Sequence, residues 1–258
     1  DPSAAPGADE QNLALQKLAF EVSVRINRVT PITSVSLVTF ALLGAGDRAL
    51  SAAEERTALA NVLHFTRQRG LPTVGELDLD SDEGVRRALE ALERNDVVSC
   101  FKGGDEPVYQ IGPEHQLQAA YYRNTVIHFF VNPAIAELAL LRAAEPDVSD
   151  PVAEFWGEAM RLRDLLKFEF FFAEKEIFRG EVQRELAMMD GDWERKLGAG
   201  GEAILQLVRR FRPFSAHRVL RPFVEAYQIV GDHLERRDPA LLFEEPAFVS
   251  ECLGLGRQ

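Results

Sequence analysis

Residues 97–111 read VVSCFKGGDEPVYQI, and this stretch carries the clearest strand signal of the chain. Two short runs rich in β-branched and aromatic residues, 97–101 and 108–111, flank a segment that contains two glycines, an aspartate and a proline. Runs of this kind around such a segment predict a β-hairpin. Almost everything on either side of the hairpin has helical periodicity, so the fold class is mainly α with one β-hairpin.

Apolar spacing and cap residues predict helices before the hairpin. Ser51, followed by Glu54, has the pattern of a capping box, and Ser81 or Asp82 is a suitable N-cap for the last of these helices. We expect helices over about residues 13–26, 34–43, 51–70 and 82–92. Three helices followed by a hairpin resemble a winged-helix module, here over roughly residues 31–112.

The chain divides into three predicted parts. Residues 1–12 have the composition of a linker and include no initiator methionine, so we expect the chain to be a piece of a longer protein. Residues 13–112 form the winged-helix-like part. Residues 113–258 are expected to form a helical bundle packed on it, which gives a multi-helix fold overall.

Composition and charge exclude several classes of protein. Hydrophobic residues make up 46% of the 258 residues, enough for a sizeable core. The net charge of −12 argues against a nucleic-acid-binding protein, whose footprint is basic. Cys100 and Cys252 have no metal-ligand spacing, so no metal site is predicted. The longest apolar stretch, residues 125–141, is interrupted by polar residues and is not a convincing membrane-spanning helix.

The sequence YYRN at residues 121–124 stands directly before a strongly apolar run that ends at Phe130. A buried Tyr or Arg head must find partners or cost free energy. The stretch therefore predicts an internal polar junction or a place where another part of a protein docks, with these candidates: Tyr121, Tyr122, Arg123 and Asn124. A second polar group lies at a predicted helix break: Asn27, Arg28 and Thr30. For both groups the alternative is internal structural bonding.

Two further segments have a functional and a structural interpretation. His233 and Asp238 match the His-x-x-x-x-Asp pattern of glycerolipid acyltransferases, but the pattern fixes only two positions and its companion motifs do not occur in the chain. We therefore read it as a solvated helix end. Residues 207–221 form a basic patch that could meet lipid headgroups, a phosphorylated substrate or an acidic face of a neighbouring domain, or could pair with nearby carboxylates. Its arginines are Arg209, Arg210, Arg212, Arg218 and Arg221.

Three segments resemble one family. Residues 20–43 contain Ile-Asn-Arg-Val-Thr-Pro followed by an apolar helix, residues 121–130 read YYRNTVIHFF, and residues 167–172 read KFEFFF. Together, in this order, they are similar to the region after the catalytic domain of the large bacterial, membrane-associated glycerol-3-phosphate 1-O-acyltransferases.

The resemblance implies a parent enzyme that moves an acyl group from acyl-CoA or acyl-ACP to the sn-1 hydroxyl of glycerol 3-phosphate. The product is lysophosphatidic acid, an intermediate of phospholipid synthesis. In that family the catalytic His and Asp lie in an earlier domain, so no catalytic residue is assigned here and the chain alone is expected to be inactive.

The same resemblance implies partners and a location. The N-terminal acyltransferase domain of the same protein is the expected partner, and the two polar groups described above are the candidates for that contact. The parent is expected at the cytoplasmic face of the cell membrane as a peripheral protein, with the membrane surface as a further partner. No cofactor is expected beyond the acyl-CoA or acyl-ACP co-substrate. The alternative is a stand-alone helical or winged-helix protein-interaction module.

Overall fold

A computed structural model describes residues 8–46, 48–210, 216–238 and 243–256, and only the backbone of residues 8–10 and 210. The fold is mainly α with one small antiparallel sheet, as the sequence predicts. The described chain forms two compact units. The first contains the residues up to Phe130 together with Glu169–Ala173, and the second contains Val131–Phe168 and the residues from Glu174 onward.

The first unit has helices and strands in the order of a winged-helix module, as the sequence suggests for roughly residues 31–112. The hairpin is confirmed, and a two-residue strand before the second helix of the module joins it, giving the strand order β1-β3-β2. In this sheet Tyr109 is opposite Leu50 on one side and Cys100 on the other. The elements are α1 (Ala8–Val29), α2 (Ser34–Ala45), β1 (Leu50–Ser51), α3 (Ala52–Gln68), α4 (Asp82–Arg94), β2 (Ser99–Phe101), β3 (Val108–Gln110) and α5 (Gln116–Asn124).

Side-chain caps define where the helices of the module begin. Ser51 accepts a hydrogen bond from the backbone N–H of Glu54, and the Glu54 carboxylate accepts one from the N–H of Ser51, which confirms the predicted capping box. Ser81 caps α4 by accepting from Gly84 N at 3.0 Å. Thr33 and Ser36 form a second capping box, which starts α2 at Ser34, three residues after Pro31. These caps fix the chain entry of three helices around one core.

Aromatic rings form the centre of this core. Phe130, at the end of the YYRN segment, stacks on Phe40 of α2 with ring centroids 4.9 Å apart and lies 5.0 Å from the ring of Phe65 on α3. All three rings are at most 1% exposed. The apolar end of the segment is therefore a central part of the first unit, which explains why α5 packs against α2.

Two predicted boundaries differ from the structure. Residues 8–12, expected to belong to a linker, are helical because α1 begins at Ala8. The expected boundary between residues 112 and 113 falls inside the first unit, since α5 packs on α2 and Phe130 enters its core. Residues 1–7 of the expected linker lie outside the described residues.

The second unit is helical in its described part, and α6 lies at its centre. Helix α6 packs against α7, α8, α10 and α11, and its buried alanines let neighbouring helices approach closely. The Asn132 amide donates to Glu181 on α8 at 2.9 Å, and the Glu137 carboxylate accepts from the backbone N–H of Ala216 at 3.2 Å. The elements are α6 (Val131–Ala143), α7 (Pro151–Leu166), α8 (Lys175–Met189), α9 (Trp193–Ala199), α10 (Gly201–Arg210), α11 (Ala216–Val219), α12 (Arg221–Glu235) and α13 (Glu245–Leu255).

Candidate functional site

Helix α5 carries the YYRN segment and is held at both ends. A 3₁₀ turn over Pro113–His115 leads into it, and Thr125 closes it by donating from its hydroxyl to the Tyr122 carbonyl at 2.7 Å. A second 3₁₀ turn, Ile127–Phe129, then carries the chain down to the buried Phe130. The four candidate residues therefore lie at the edge of the core of the first unit, and the buried Phe130 fixes the chain that follows them.

Arg123 is the buried member of the segment, at 7% exposed. Its Nε and Nη2 donate to the amide oxygen of Asn124 at 3.2 and 2.9 Å. Among the residues that the structure describes, no carboxylate forms an ion pair with this guanidinium, and burial lowers the pKa of Arg123 without a negative neighbour to raise it. Burying a cation against a neutral amide alone costs free energy. The end of α5 from Tyr121 to Asn124, which we call the α5 corner, therefore has one positive charge that can pair with an anion.

The tyrosines divide between the interior and the solvent. Tyr121 is 72% exposed, and its ring stands edge-on to that of the half-buried Tyr122 at 6.0 Å. One turn earlier Leu117 is 88% exposed, and one turn later Asn124 is exposed as well. The outward side of α5 therefore presents Leu117, Tyr121 and Asn124.

The structure brings the second candidate group close to this corner. Asn27 lies near the end of α1, and its backbone carbonyl is 2.7 Å from Nε2 of His128, which follows α5. Burial lowers the pKa of His128, so the ring is neutral and Nε2–H is the donor to this carbonyl. Thr30 donates from its hydroxyl to the Ile26 carbonyl at 2.8 Å, a C-terminal cap of α1. Arg28 is exposed and forms no ion pair within the described residues.

The arginines of the basic patch are partly paired. Arg209 lies 3.1 Å from Glu202, and Arg221 lies 2.6 Å from Glu225. Arg218 lies on α11 beside His217. The pKa of His217 is lowered mainly by burial and, to a smaller extent, by the charges of Arg218 and Arg221. The side chain of Arg210 and the whole of Arg212 lie outside the described residues. Carboxylates thus lie at both ends of the described part of the patch, Glu202 on α10 and Glu225 on α12.

His233 has a partner other than the one that the acyltransferase pattern would require. Its Nε2 is 2.7 Å from a carboxylate oxygen of Glu251, and its ring stacks on Phe248 with centroids 5.1 Å apart. Both partners lie on α13, so His233 joins α12 to α13. This contact supports the structural interpretation of the His-x-x-x-x-Asp match.

A family model described as the glycerol-3-phosphate acyltransferase C-terminal region matches residues 1–258. The chain belongs to this family. The family expected from the INRVTP and YYRN segments is thereby confirmed, and the match extends well beyond the winged-helix-like part.

Named relatives agree with this membership. A protein named acyltransferase plsB1 of Mycobacterium tuberculosis (strain ATCC 25618 / H37Rv) is 38% identical over 246 residues, which is 95% of this chain and 39% of that protein. A protein of the same name in Mycobacterium bovis matches equally. The glycerol-3-phosphate acyltransferase of Shewanella baltica is 27% identical over 169 residues, 64% of this chain and 20% of that protein. The chain therefore spans well under half of the length of these curated relatives.

Over the described parts of the chain, no helix combines the length and the apolar character needed to span a bilayer.

Sequence reasoning missed two surface features of this family member. Leu117, the most exposed large apolar residue of α5, was not among the predicted contacts, although its spacing of four residues from Tyr121 places it on the same side of the helix. The apolar residues of α1 were read as evidence for a helix, yet most of them lie exposed. Periodicity shows that a side of a helix is apolar but does not show what covers it.

Proposed function

We propose that this chain is the C-terminal part of an enzyme that acylates glycerol 3-phosphate. The reaction transfers an acyl group from the thioester of acyl-CoA or acyl-ACP to the sn-1 hydroxyl, giving lysophosphatidic acid for phospholipid synthesis. The observation that carries the proposal is the family match over residues 1–258. The 38% identity to a protein named as an acyltransferase supports it.

The role of this region is to support the catalytic domain rather than to perform the chemistry. The chain spans 39% of the length of its mycobacterial relatives, and the family's catalytic His and Asp belong to an earlier domain. The proposed partners are that domain and, at the cytoplasmic face of the cell membrane, the bilayer surface. The co-substrate supplies the acyl group, and the proposal involves no further cofactor.

The α5 corner is the proposed contact with the catalytic domain. Arg123 brings a buried positive charge whose guanidinium donates, among the described residues, only to the neutral amide oxygen of Asn124. A guanidinium presents a planar fork of donors that matches a carboxylate or a phosphate. Tyr121 adds an exposed aromatic ring of the kind that anchors protein interfaces. Arg28 and Asn27, at the end of α1, extend the same corner through the contact with His128.

Steady-state acyl transfer by the full-length parent enzyme tests this assignment. We expect Arg123→Ala to lower turnover or stability by a factor of ten or more, about 1.4 kcal/mol or greater, because it removes the charge that the partner anion needs. Arg123→Lys should recover only part of the loss, since a lysine lacks the fork. The matched control is Arg94→Ala, which removes an exposed arginine of α4 that has no described ion pair.

Two results would contradict the assignment in different ways. Wild-type turnover and stability of the Arg123→Ala enzyme would remove the α5 corner from the contact while leaving the family reaction intact. Acyl transfer by this chain alone would overturn its supporting role.

A further inference from the structure

One side of α1 is apolar from Leu15 to Val29 and is exposed to solvent. Spacings of three and four residues put five apolar side chains on a single side of the helix. Their exposed fractions run from 47% at Val22 to 70% at Val29. At a rise of about 1.5 Å per residue, the apolar row from Leu15 to Val29 is about 21 Å long, or about four helical turns. We call this row the α1 stripe: Leu15, Leu18, Val22, Ile26 and Val29.

The body of the first unit holds α1 by its opposite side. The ring of Phe20 stands edge-on to that of Phe171 at 5.1 Å, and the backbone carbonyl of Asn27 accepts from the His128 ring at 2.7 Å. Phe20 and Asn27 are seven residues apart, and Val22 projects on the other side of the helix from both. The first unit therefore cannot cover the α1 stripe without releasing these contacts.

A solvated stripe of this kind needs an occupant. Single exposed apolar residues are ordinary, but a contiguous apolar row rimmed by polar residues marks an interaction surface. An amphipathic helix is also stabilised chiefly by the packing of its apolar side rather than by its own hydrogen bonds. The α1 stripe therefore has the features of an interaction surface that another surface covers.

The rim of the stripe indicates the chemistry of the occupant. Lys17, Arg25 and Arg28 lie along one flank of the α1 stripe, and Glu21 pairs with Arg25 at 2.6 Å. This flank is net positive in a chain whose net charge is −12. A second copy would bring an equal positive rim against it, and like charges at a rim oppose association. Anionic membranes are recognised by clusters of about four to eight basic residues, more than α1 provides.

We propose that the α1 stripe docks onto an apolar, acid-rimmed surface of the preceding part of the parent acyltransferase. This inference rests on the proposed function and names the surface that the supporting role uses. The matching family model describes a C-terminal region, and the mycobacterial relatives are far longer than the 246 residues matched. The occupant is therefore a part of the same polypeptide that this chain does not contain.

Site-specific photo-cross-linking in the full-length parent enzyme tests the proposal. A benzoylphenylalanine replaces Val22 in the α1 stripe, and the matched control replaces Glu106, an exposed residue of the β2–β3 loop. After irradiation, peptide mass spectrometry identifies the attached residues. We expect Val22 to cross-link within one polypeptide to residues that precede this region, with a yield several-fold above that of Glu106.

Other products would overturn the proposal. A covalent dimer would assign the stripe to a second copy, a lipid adduct would assign it to the membrane, and a yield no higher than the control would leave it solvated. A pair of substitutions gives a second measurement: Val22→Asp should lower the parent's acyltransferase activity several-fold, whereas Val249→Asp, at an equally exposed valine of α13 outside the stripe, should leave it unchanged. Equal activity of the two variants would contradict docking.

The two levels of the argument fail separately. If the parent enzyme acylates glycerol 3-phosphate but Val22 gives no intramolecular cross-link, the docking surface is wrong and the proposed function stands. If the cross-link forms in a parent that lacks this activity, the docking surface stands and the proposed function is wrong.

Discussion

At the scale of single residues, His128 connects the two polar segments of the chain. Its ring donates to the carbonyl of Asn27 across 101 positions of sequence. Burial disfavours the charged imidazolium, so the pKa of His128 lies below that of a histidine in water, although the bond to Asn27 acts in the opposite direction. The folded state therefore favours the neutral form of the His128 ring.

The lowered pKa gives a pH dependence of known sign. The unfolded chain takes up the proton first, near pH 6.5, so protonation favours unfolding. The contribution of His128 to stability is complete above this pH and is lost as the pH falls through the lower pKa of the folded state. We expect His128→Gln, which keeps a donor for Asn27 but cannot titrate, to reduce the loss of stability between about pH 7.5 and pH 5.5.

Denaturant unfolding at the two pH values measures this effect. The matched control is His64→Gln, which removes an exposed histidine of α3. A pH dependence that is the same in wild type and in His128→Gln would show that the ring does not resist protonation in the folded state.

Two phenylalanines of this chain, Phe130 and Phe168, have opposite surroundings. Phe130 is fully buried between two other rings, whereas Phe168 is 82% exposed with the Lys167 ammonium 5.1 Å from its ring centroid. Phe130→Ala is expected to lower the free energy of unfolding by about 3–5 kcal/mol, the transfer and cavity cost of a buried ring. Phe168→Ala should change it by about 0.5 kcal/mol or less. Chemical denaturation of both variants makes the comparison, and equal losses would refute the assigned core.

At the scale of elements, α3 begins at one of the clearest start signals of the sequence. The Ser51 hydroxyl and the Glu54 carboxylate each accept a backbone hydrogen bond from the other residue. We expect Ser51→Ala to cost about 1 kcal/mol of stability, the usual loss for a side-chain cap. Thr57→Ala is the control, because this exposed hydroxyl bonds within the same helix to Ala53. The difference between their denaturation midpoints gives the result, and a cap that contributes nothing would leave the two alike.

The elements that sequence predicts best are those whose signals are local. The caps at Ser51 and Ser81 and the turn between β2 and β3 depend on residues a few positions apart, and the structure confirms them. Strand β1 was missed because its two residues carry no periodicity and exist as a strand only through pairing with Tyr109. Such a strand is a product of tertiary contacts rather than of local preference.

The candidate site divides in the same way. The residues of the YYRN segment could be named from sequence, because a polar group before an apolar run is visible locally. That Arg123 is buried with only an amide acceptor in the described structure, and that Asn27 meets His128, follows from contacts that no local pattern contains. The apolar α1 stripe was visible as a helical period, but its exposure depends on which side the first unit holds.

At the scale of the whole molecule, a winged-helix arrangement of elements stands within a strongly acidic chain. In winged-helix DNA-binding proteins, a helix in the position of α4 would enter the major groove. Three arginines on α4 or beside it are paired with carboxylates: Arg86 lies 2.8 Å from Glu83, Arg56 lies 2.6 Å from Asp82, and Arg87 pairs with Asp78. These carboxylates neutralise the charges that phosphates would need.

We therefore expect no binding of duplex DNA at physiological salt, and a gain of non-specific binding when α4 is made more basic. The charge variant combines Glu83→Gln, Glu90→Gln and Glu93→Gln, and the matched control makes the same change at three exposed positions of the second unit, Glu174, Glu176 and Glu194. Fluorescence anisotropy with labelled duplex should detect binding by the α4 variant at low salt and its loss as salt rises, because released counterions drive such binding. Binding by the wild-type chain at about 0.15 M salt would show that the winged-helix arrangement keeps a nucleic-acid function despite its charge. Equal gains in the two variants would mean that net charge alone, and not the position of α4, decides the outcome.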